Sequence, residues 1–481
     1  MRGAVRRISV SVAACVALVA AVAPVRAEDP ARPAPRAQAP SGPCALAGPP
    51  DSGARYFEGV PTPGNFARST GTVRAYTVFV DFPDAPATVT PRERYAEFFP
   101  AVSDYFARAS YGRLDYRPMP RFSWIRMSKP LASYGIGRGV PFSPGYAALT
   151  AEVARAVRAE ADPGAYDLLN VLVTPNAGPD ALETVLSVTY SGGTFDFGRG
   201  AVPFAGSFVW SRQTGDSPWR VLAHENGHAF GLPDLYLDGG GGTTAGHWDL
   251  MDEDWGPAND LMAWHKWKLG WLGADQAVCA DAPGTREFTL RPLSVPGGTK
   301  LVTVPLDGER ALTLEARTKS ALDAAVCRPG VLVAGVGTRV AAGEGPVRVR
   351  DATPGSAGCF RDPNVNAALS DAAYQPGQTF TDRAHGIAVQ VLGVDAAGDY
   401  RVRVARGAQA VASLPPASEP LPSASVPTTP VPTTPVPSLA APSERLPQQA
   451  AAGDGFREAL ERLRQAVCAQ WWAARLPGCG R

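Results

Sequence analysis

The sequence has almost no excess charge of either sign: 46 lysines and arginines stand against 45 aspartates and glutamates, and only 19% of its 481 residues are charged. That balance removes any general electrostatic reason to bind nucleic acid. The first 27 residues hold four arginines and no acid, so the remainder carries 42 basic against 45 acidic residues, a net charge of −3. Histidine and methionine are scarce, five of each, whereas 45% of the chain is hydrophobic, which excludes simple disorder. Glycine (50) and proline (47) are too abundant for long helical bundles, and at ~150 residues per domain the length suggests about three units.

Long apolar runs are also missing, with one exception. Arg2, Arg6 and Arg7 precede the stretch from Ile8 to Val25, and Val25-Arg26-Ala27 offers a small-x-small cleavage site. We read 1–27 as a signal peptide, which makes the mature chain secreted and extracellular, with no integral membrane segment. A retained anchor is disfavoured by Pro24 and the short span, and a lipoprotein signal at Cys15 by too short an apolar lead. Of seven cysteines, six lie beyond the signal (Cys44, Cys279, Cys327, Cys359, Cys468, Cys479). An even set in an exported chain implies disulfides, and none has the CxxC spacing of a zinc ribbon. Fifteen pairings are open, Cys468 with Cys479 being an attractive local one.

Composition divides the chain. Residues 28–70 are rich in Pro, Ala and Gly without periodicity and read as an extended leader or pro-segment. From 71 to 274, strand signals at Tyr76–Val80 and Leu168–Val173 flank helical spacing over Arg92–Ser110 and at Leu149, Val153 and Val157. Val185–Tyr190 alternates like an edge strand, and Phe208–Trp210 is a further short strand. Over 275–407, short β-rich runs broken by turn residues (Leu312–Leu314, Val331–Val333, Ile387–Val391, Tyr400–Val404) indicate an all-β sandwich-like domain. Residues 408–453 form a Pro/Thr-rich linker, and 454–481 a short helical tail, apolar at Phe456, Leu460, Leu463, Val467 and Trp471, that a disulfide would staple.

Two of the five histidines stand four apart in His224-Glu225-Asn226-Gly227-His228. On a helix of 3.6 residues per turn that spacing aims both imidazoles from one face, close enough for one zinc ion, while Glu225, rotated by about 100°, is placed to activate a water. Gly231 can end the helix in a left-handed conformation and Pro233 prevents its resumption, so the chain can swing back and offer Asp234 as an oxygen ligand. Met251 follows in a tight-turn context, Gly246-His247-Trp248-Asp249-Leu250-Met251-Asp252.

With H-E-x-x-H-x-x-G-x-x-D and this methionine, the chain resembles the secreted immune inhibitor A-like metallopeptidases, which are metzincin-like with Asp in place of the third His. The resemblance extends to Val80-Asp81-Phe82-Pro83-Asp84, Asp104-Tyr105-Phe106, Ala109-Ser110-Tyr111-Gly112, Ala263-Trp264, Lys268-Leu269-Gly270-Trp271 and Leu314-Glu315-Ala316-Arg317, covering about Arg74 to Val404. It implies an α+β fold, with a metzincin-like catalytic domain of mixed sheet and active-site helix. It further implies zinc on His224, His228 and Asp234, Glu225 as general base and acid, and Met251 in a turn beneath the metal. One departure is the acidic cluster Asp252-Glu253-Asp254, where a small residue is expected. Structural calcium is a second cofactor to consider, with no ligands assigned.

Other residues invite simpler readings. His247 is expected as a polar loop residue, His265 and His385 as surface or packing residues, and Tyr236 as a packing residue rather than an oxyanion donor. Cys44 is expected in a disulfide rather than as an inhibitory thiolate on zinc. Asp362–Asn366 lacks the Gly and acidic positions of an EF-hand and reads as a turn, and Trp471-Trp472 as packing or a cell-surface contact of the tail. The expectation is a zinc metalloendopeptidase acting on protein or peptide substrates, with substrate-binding residues unassigned. The rivals are a catalytically silent secreted binding or adhesion protein on the same scaffold, and a zinc amidase acting on cell-wall peptides.

Overall fold

The computed structural model describes residues 40–50, 56–136, 144–158, 162, 165–177, 187–191, 194–196, 201–203, 206–209, 218–238, 242–254, 256–257, 259–361 and 366–414. All of them belong to one compact unit. The expected signal segment, most of the Pro/Thr-rich tract, the expected C-terminal helix with Cys468 and Cys479, and most of the expected Asp362–Asn366 turn lie outside the described residues.

The unit is mixed α+β. Its first layer is a five-stranded sheet in the order β2-β1-β3-β7-β4, built from β1 (Gly71–Asp81), β2 (Leu114–Arg126), β3 (Leu168–Val173), β4 (Val188–Tyr190) and β7 (Gly206–Val209). All pairs are parallel except β4 on β7, so the expected edge strand is an antiparallel edge. β5 (Thr194–Asp196) and β6 (Ala201–Pro203) form a separate two-stranded ribbon.

Helices cover both faces of this sheet, which is why β1 and β3 read as near-continuous apolar runs. On one face α3 (Pro144–Val157) seats Tyr146, Leu149, Val153 and Val157 against Val78, Val80, Leu169 and Val171. On the other, Val73, Ala75, Phe79, Leu168 and Leu172 meet α2 (Ala101–Ala109) and α4 (Pro218–Ala229). The helical spacing over Arg92–Ser110 resolves into two helices. α1 (Pro91–Ala96) opens on a capping box between Thr90 and Glu93, and α2 starts after Pro100, whose missing N–H and clash with the preceding residue interrupt a continuous helix.

After α5 (Ala263–Lys268) the chain is mostly β. One sheet runs β13-β12-β11-β10-β8, from β8 (Ala277–Cys279), β10 (Leu301–Pro305), β11 (Arg310–Arg317), β12 (Gly330–Gly337) and β13 (Val347–Val349). The other runs β14-β15-β16-β9, from β9 (Gly284–Leu290), β14 (Thr379–Asp382), β15 (Ile387–Val394) and β16 (Tyr400–Arg406), with the short α6 (Ala408–Ala412) behind it. Val302, Leu312, Leu314 and Val333 of the first sheet face Val389, Val391, Val402 and Val404 of the second in one core. The opposite face of the first sheet, through Leu301, Leu332, Ala334, Val347 and Val349, belongs to the same core as α2, α4 and α5. The β region is therefore fused to the helical layers, its first sheet buried on both faces, rather than attached as a separate module.

Residues 40–50 and 56–70 have irregular backbone but are built into the interior. Cys44 is bonded to Cys279, Glu58 is fully buried, and Lys268 Nζ donates to the carbonyls of Phe57 and Gly59. A second disulfide joins Cys327 to Cys359. Among the described residues no helix is long and apolar enough to cross a membrane.

Candidate metal centre

α4 carries His224, Glu225 and His228, all buried. It ends where expected: Gly231 has φ +94°, and Leu232 N–H reaches back to the Gly227 carbonyl at 3.0 Å. The returning chain brings Asp234 Oδ1 to 3.1 Å from His224 Nε2 and 3.2 Å from His228 Nε2. Each ring's other nitrogen faces a carbonyl, His224 Nδ1 at 3.0 Å from Leu250 O and His228 Nδ1 at 2.8 Å from Leu232 O. A carbonyl only accepts, so Nδ1 carries the proton and Nε2 is left as the donor atom turned toward Asp234.

These three side chains are the one group among the described residues whose ligand atoms converge for a metal, all within 4.8 Å of one another. Donors about 2.0–2.2 Å from a tetrahedral ion stand about 3.3 Å apart, close to the observed N–O separations, and two imidazoles with one carboxylate suit zinc. Charge points the same way. Burial penalises a protonated His224, yet the hydrogen bond to Asp234 and the carboxylates of Asp254, Asp234 and Glu225 outweigh it and raise its pKa to about 10. Burial would raise Asp234, yet the neighbouring His228 and His224 hold it well below the usual carboxylate range. The pocket thus favours a positive charge between the rings and the carboxylate.

The methionine lies beneath this group. Met251 is fully buried, and a Cβ added at Gly227, between the two histidines, would fall 2.5 Å from its Sδ. Asp249 Oδ1 accepts from Met251 N–H at 2.8 Å, and Met251 O accepts from Leu235 N–H at 3.1 Å, which ties the methionine loop to the loop of the third candidate ligand. The acidic cluster has a local role: Asp252 Oδ2 accepts from Thr243 Oγ1 and the N–H groups of Thr244, Ala245 and Gly246, closing the preceding turn.

No family model and no curated protein matches the chain.

Glu225 is buried beside the group, and Thr189 Oγ1 lies 2.7 Å from its Oε2. Burial raises its pKa, against the opposing pull of His228, His224 and the Thr189 hydrogen bond. Thr189 sits on β4, so the edge strand passes directly alongside the glutamate. Tyr56, from the leader, packs its ring 5.0 Å from that of His228 and places its hydroxyl 2.6 Å from Ser191 Oγ and 3.2 Å from Thr189 O. Tyr236 is half-buried near Asp234 and Glu225, and desolvation and these two charges push its hydroxyl pKa far up.

The β region reaches the site as well. Gly343 N–H donates to Asp234 O at 3.3 Å, Asp238 N–H donates to Gly343 O at 2.8 Å, and Leu237 bridges Glu344. Arg317, in the Leu314-Glu315-Ala316-Arg317 segment, pairs with Asp323 at 2.6 Å and donates to Trp248 O at 2.8 Å in the methionine loop.

The remaining histidines separate. His385 lies 2.8 Å from Asp382, away from the candidate ligands. His247 is buried rather than a solvated loop residue, its ring 5.0 Å from that of Phe360, because the 3-10 turn Gly246–Trp248 directs it inward. His265 packs in the interior between Glu58 and Asp249, so the surface half of its expectation fails. Cys44, bonded to Cys279, offers no thiolate to the site. Sequence reasoning missed Tyr56, Glu58, Thr189 and Asn226. The one available signal was an asparagine in the middle of an otherwise apolar strand, Asn170 in Leu168–Val173.

Proposed function

We propose that the chain is a secreted zinc-dependent metalloendopeptidase of the metzincin-like, immune inhibitor A-like kind, with His224, His228 and Asp234 as ligands and Glu225 as general base and acid. The observation that carries this reading is the convergence of two Nδ1-anchored imidazoles and one carboxylate within 4.8 Å, beside a buried glutamate one residue along the helix. A zinc ion held there would polarise a peptide carbonyl and make a water acidic enough to deprotonate near neutral pH. Glu225 takes the proton of the attacking water and returns it to the departing amine, a role typically worth ~10² to 10⁴ in rate. Met251 supports the helix from below at Gly227.

Substrate lies along β4, whose outer edge can pair with an extended peptide through backbone hydrogen bonds that do not read side chains. Two disulfides fit an oxidising compartment and so support export.

The test is casein cleavage by the purified secreted protein beside Glu225→Ala at matched zinc content. Cleavage by the wild type alone supports the reading. Equal activity of the two removes Glu225 from it, and silence of both with zinc bound overturns it in favour of a binding protein. Release from purified peptidoglycan but not from casein would assign the chemistry to cell-wall amides.

A further inference from the structure

Four of the five strands of the first sheet contribute a polar residue to one row. Thr77 on β1 stands opposite Asn170 on β3, Asn170 opposite Ser207 on β7, and Ser207 opposite Thr189 on β4. All four are buried. On β1 and β3 they share the face of Val73, Ala75, Phe79, Leu168 and Leu172, the face that carries α4. The fifth strand adds Tyr116, and the helix adds Asn226, the residue after Glu225.

Hydrogen bonds join these groups and give the row a direction. Asn170 Nδ2 donates to Tyr116 Oη at 2.9 Å, so the Tyr116 hydroxyl proton is spent on Asn226 Oδ1 at 2.6 Å. That contact fixes which end of the Asn226 amide is oxygen, and its Nδ2 donates to Asn170 Oδ1 at 3.1 Å and to Ser207 Oγ at 3.0 Å. Ser207 then has one proton, directed at Thr189 Oγ1 at 2.9 Å, and the Thr189 hydroxyl stands 2.7 Å from both Glu225 Oε2 and the Glu225 backbone carbonyl, sharing its one proton between them. A buried row of polar groups is costly unless every member is satisfied, and here each finds its partner.

We propose that this row is a positioning device for Glu225. It crosses the whole sheet and ends at the Thr189 hydroxyl, which bridges the backbone carbonyl and one carboxylate oxygen of Glu225 and so holds the other carboxylate oxygen oriented for proton transfer. Thr189, Ser207 and Asn226 are positioning residues that act through Glu225. The inference rests on the proposed role of Glu225. Proton transfer demands a heavy-atom approach of about 2.6–3.2 Å, so a carboxylate free to rotate loses rate rather than substrate affinity.

The test compares Thr189→Val, which keeps the shape and removes the hydroxyl, with Thr189→Ser, which restores it. Expected is a fall in kcat of about tenfold for T189V with KM and zinc content unchanged, near-complete recovery in T189S, a smaller fall for Ser207→Ala, and no further loss when S207A is added to T189V. Wild-type kcat in T189V overturns the proposal, as does a loss in which T189S is as poor as T189V. If the wild type itself proves inactive on casein, the peptidase reading has failed and the row is judged separately by metal-free crystal structures. A single Glu225 conformer in wild type and T189S with a displaced or split one in T189V supports positioning, and an unmoved Glu225 in T189V overturns it.

Discussion

Glu58 and His265 are 207 positions apart in sequence, yet Oε1 of the one lies 2.7 Å from Nε2 of the other, and the ring's Nδ1 is 2.8 Å from Asp249 Oδ2. A carboxylate close to each nitrogen favours the protonated ring. Burial opposes its charge, but Asp249 and Glu58 prevail and raise its pKa to about 10. A folded-state value above the unfolded ~6.5 contributes stability that is fully present below about pH 6.5 and is lost as pH rises toward 10. Urea unfolding of the wild type should therefore weaken by a few kcal/mol over that window relative to His265→Gln. Parallel profiles for the two proteins would exclude this role.

Removing the metal should lower stability as well as activity. A ligand that binds only the folded state at 100 times its Kd contributes about 2.7 kcal/mol. A chelator is expected to lower the Tm of the wild type and of Glu225→Gln, but to leave that of His228→Ala or Asp234→Ala unmoved, since the latter two lack part of the donor set. An unchanged Tm for wild type on chelation, with metal release verified by elemental analysis, would count against a metal bound at this group.

Gly227 is small because Met251 Sδ occupies the space below it. Gly227→Ala should overpack the floor and cost about 1–3 kcal/mol despite the better helix propensity of alanine. Met251→Ala should cost stability on its own through a cavity, and the double variant should be more stable than the two losses predict. Additive losses in thermal unfolding would show that the two groups do not press on one another.

Arg317 is fully buried with Asp323 and Glu315, and Glu315 Oε2 also accepts from Ala263 N–H at 2.7 Å. Arg317→Met leaves two buried carboxylates without their cation and should cost about 3–5 kcal/mol. Asp323→Asn should be milder, because Glu315 keeps its partner. Equilibrium unfolding of the two variants distinguishes this from a surface role, for which both would be near neutral.

How much of this was legible in the sequence depended on how local each cause was. The histidine pair, Gly231 and Asp234 follow from one helical turn and one left-handed residue, and they come together as the spacing implies. The strands at Leu168–Val173, Val331–Val333 and Tyr400–Val404 were visible because alternation or continuous apolarity is itself a burial pattern. Glu58 and Tyr56 were not visible, since an irregular segment has no periodicity to betray which side chains it buries. Nor was the polar row: Thr77, Ser207 and Thr189 are ordinary strand residues until pairing places them opposite Asn170. The disulfides needed three-dimensional proximity to choose among pairings, and the fusion of the β region showed only in Arg317 and Glu315, charged residues in a strand otherwise buried on both faces.

The hydrogen bond from Gly343 to the backbone of Asp234 makes the candidate metal group a joint between layers that arise far apart in the chain. Two of its donors ride on α4, and the third is braced by a loop of the neighbouring sheet. Any fluctuation that parts these layers withdraws one donor from the other two, so ion affinity is tied to their closure. A bound ion would act as a rivet through both, and its rate of escape would measure how often the layers separate.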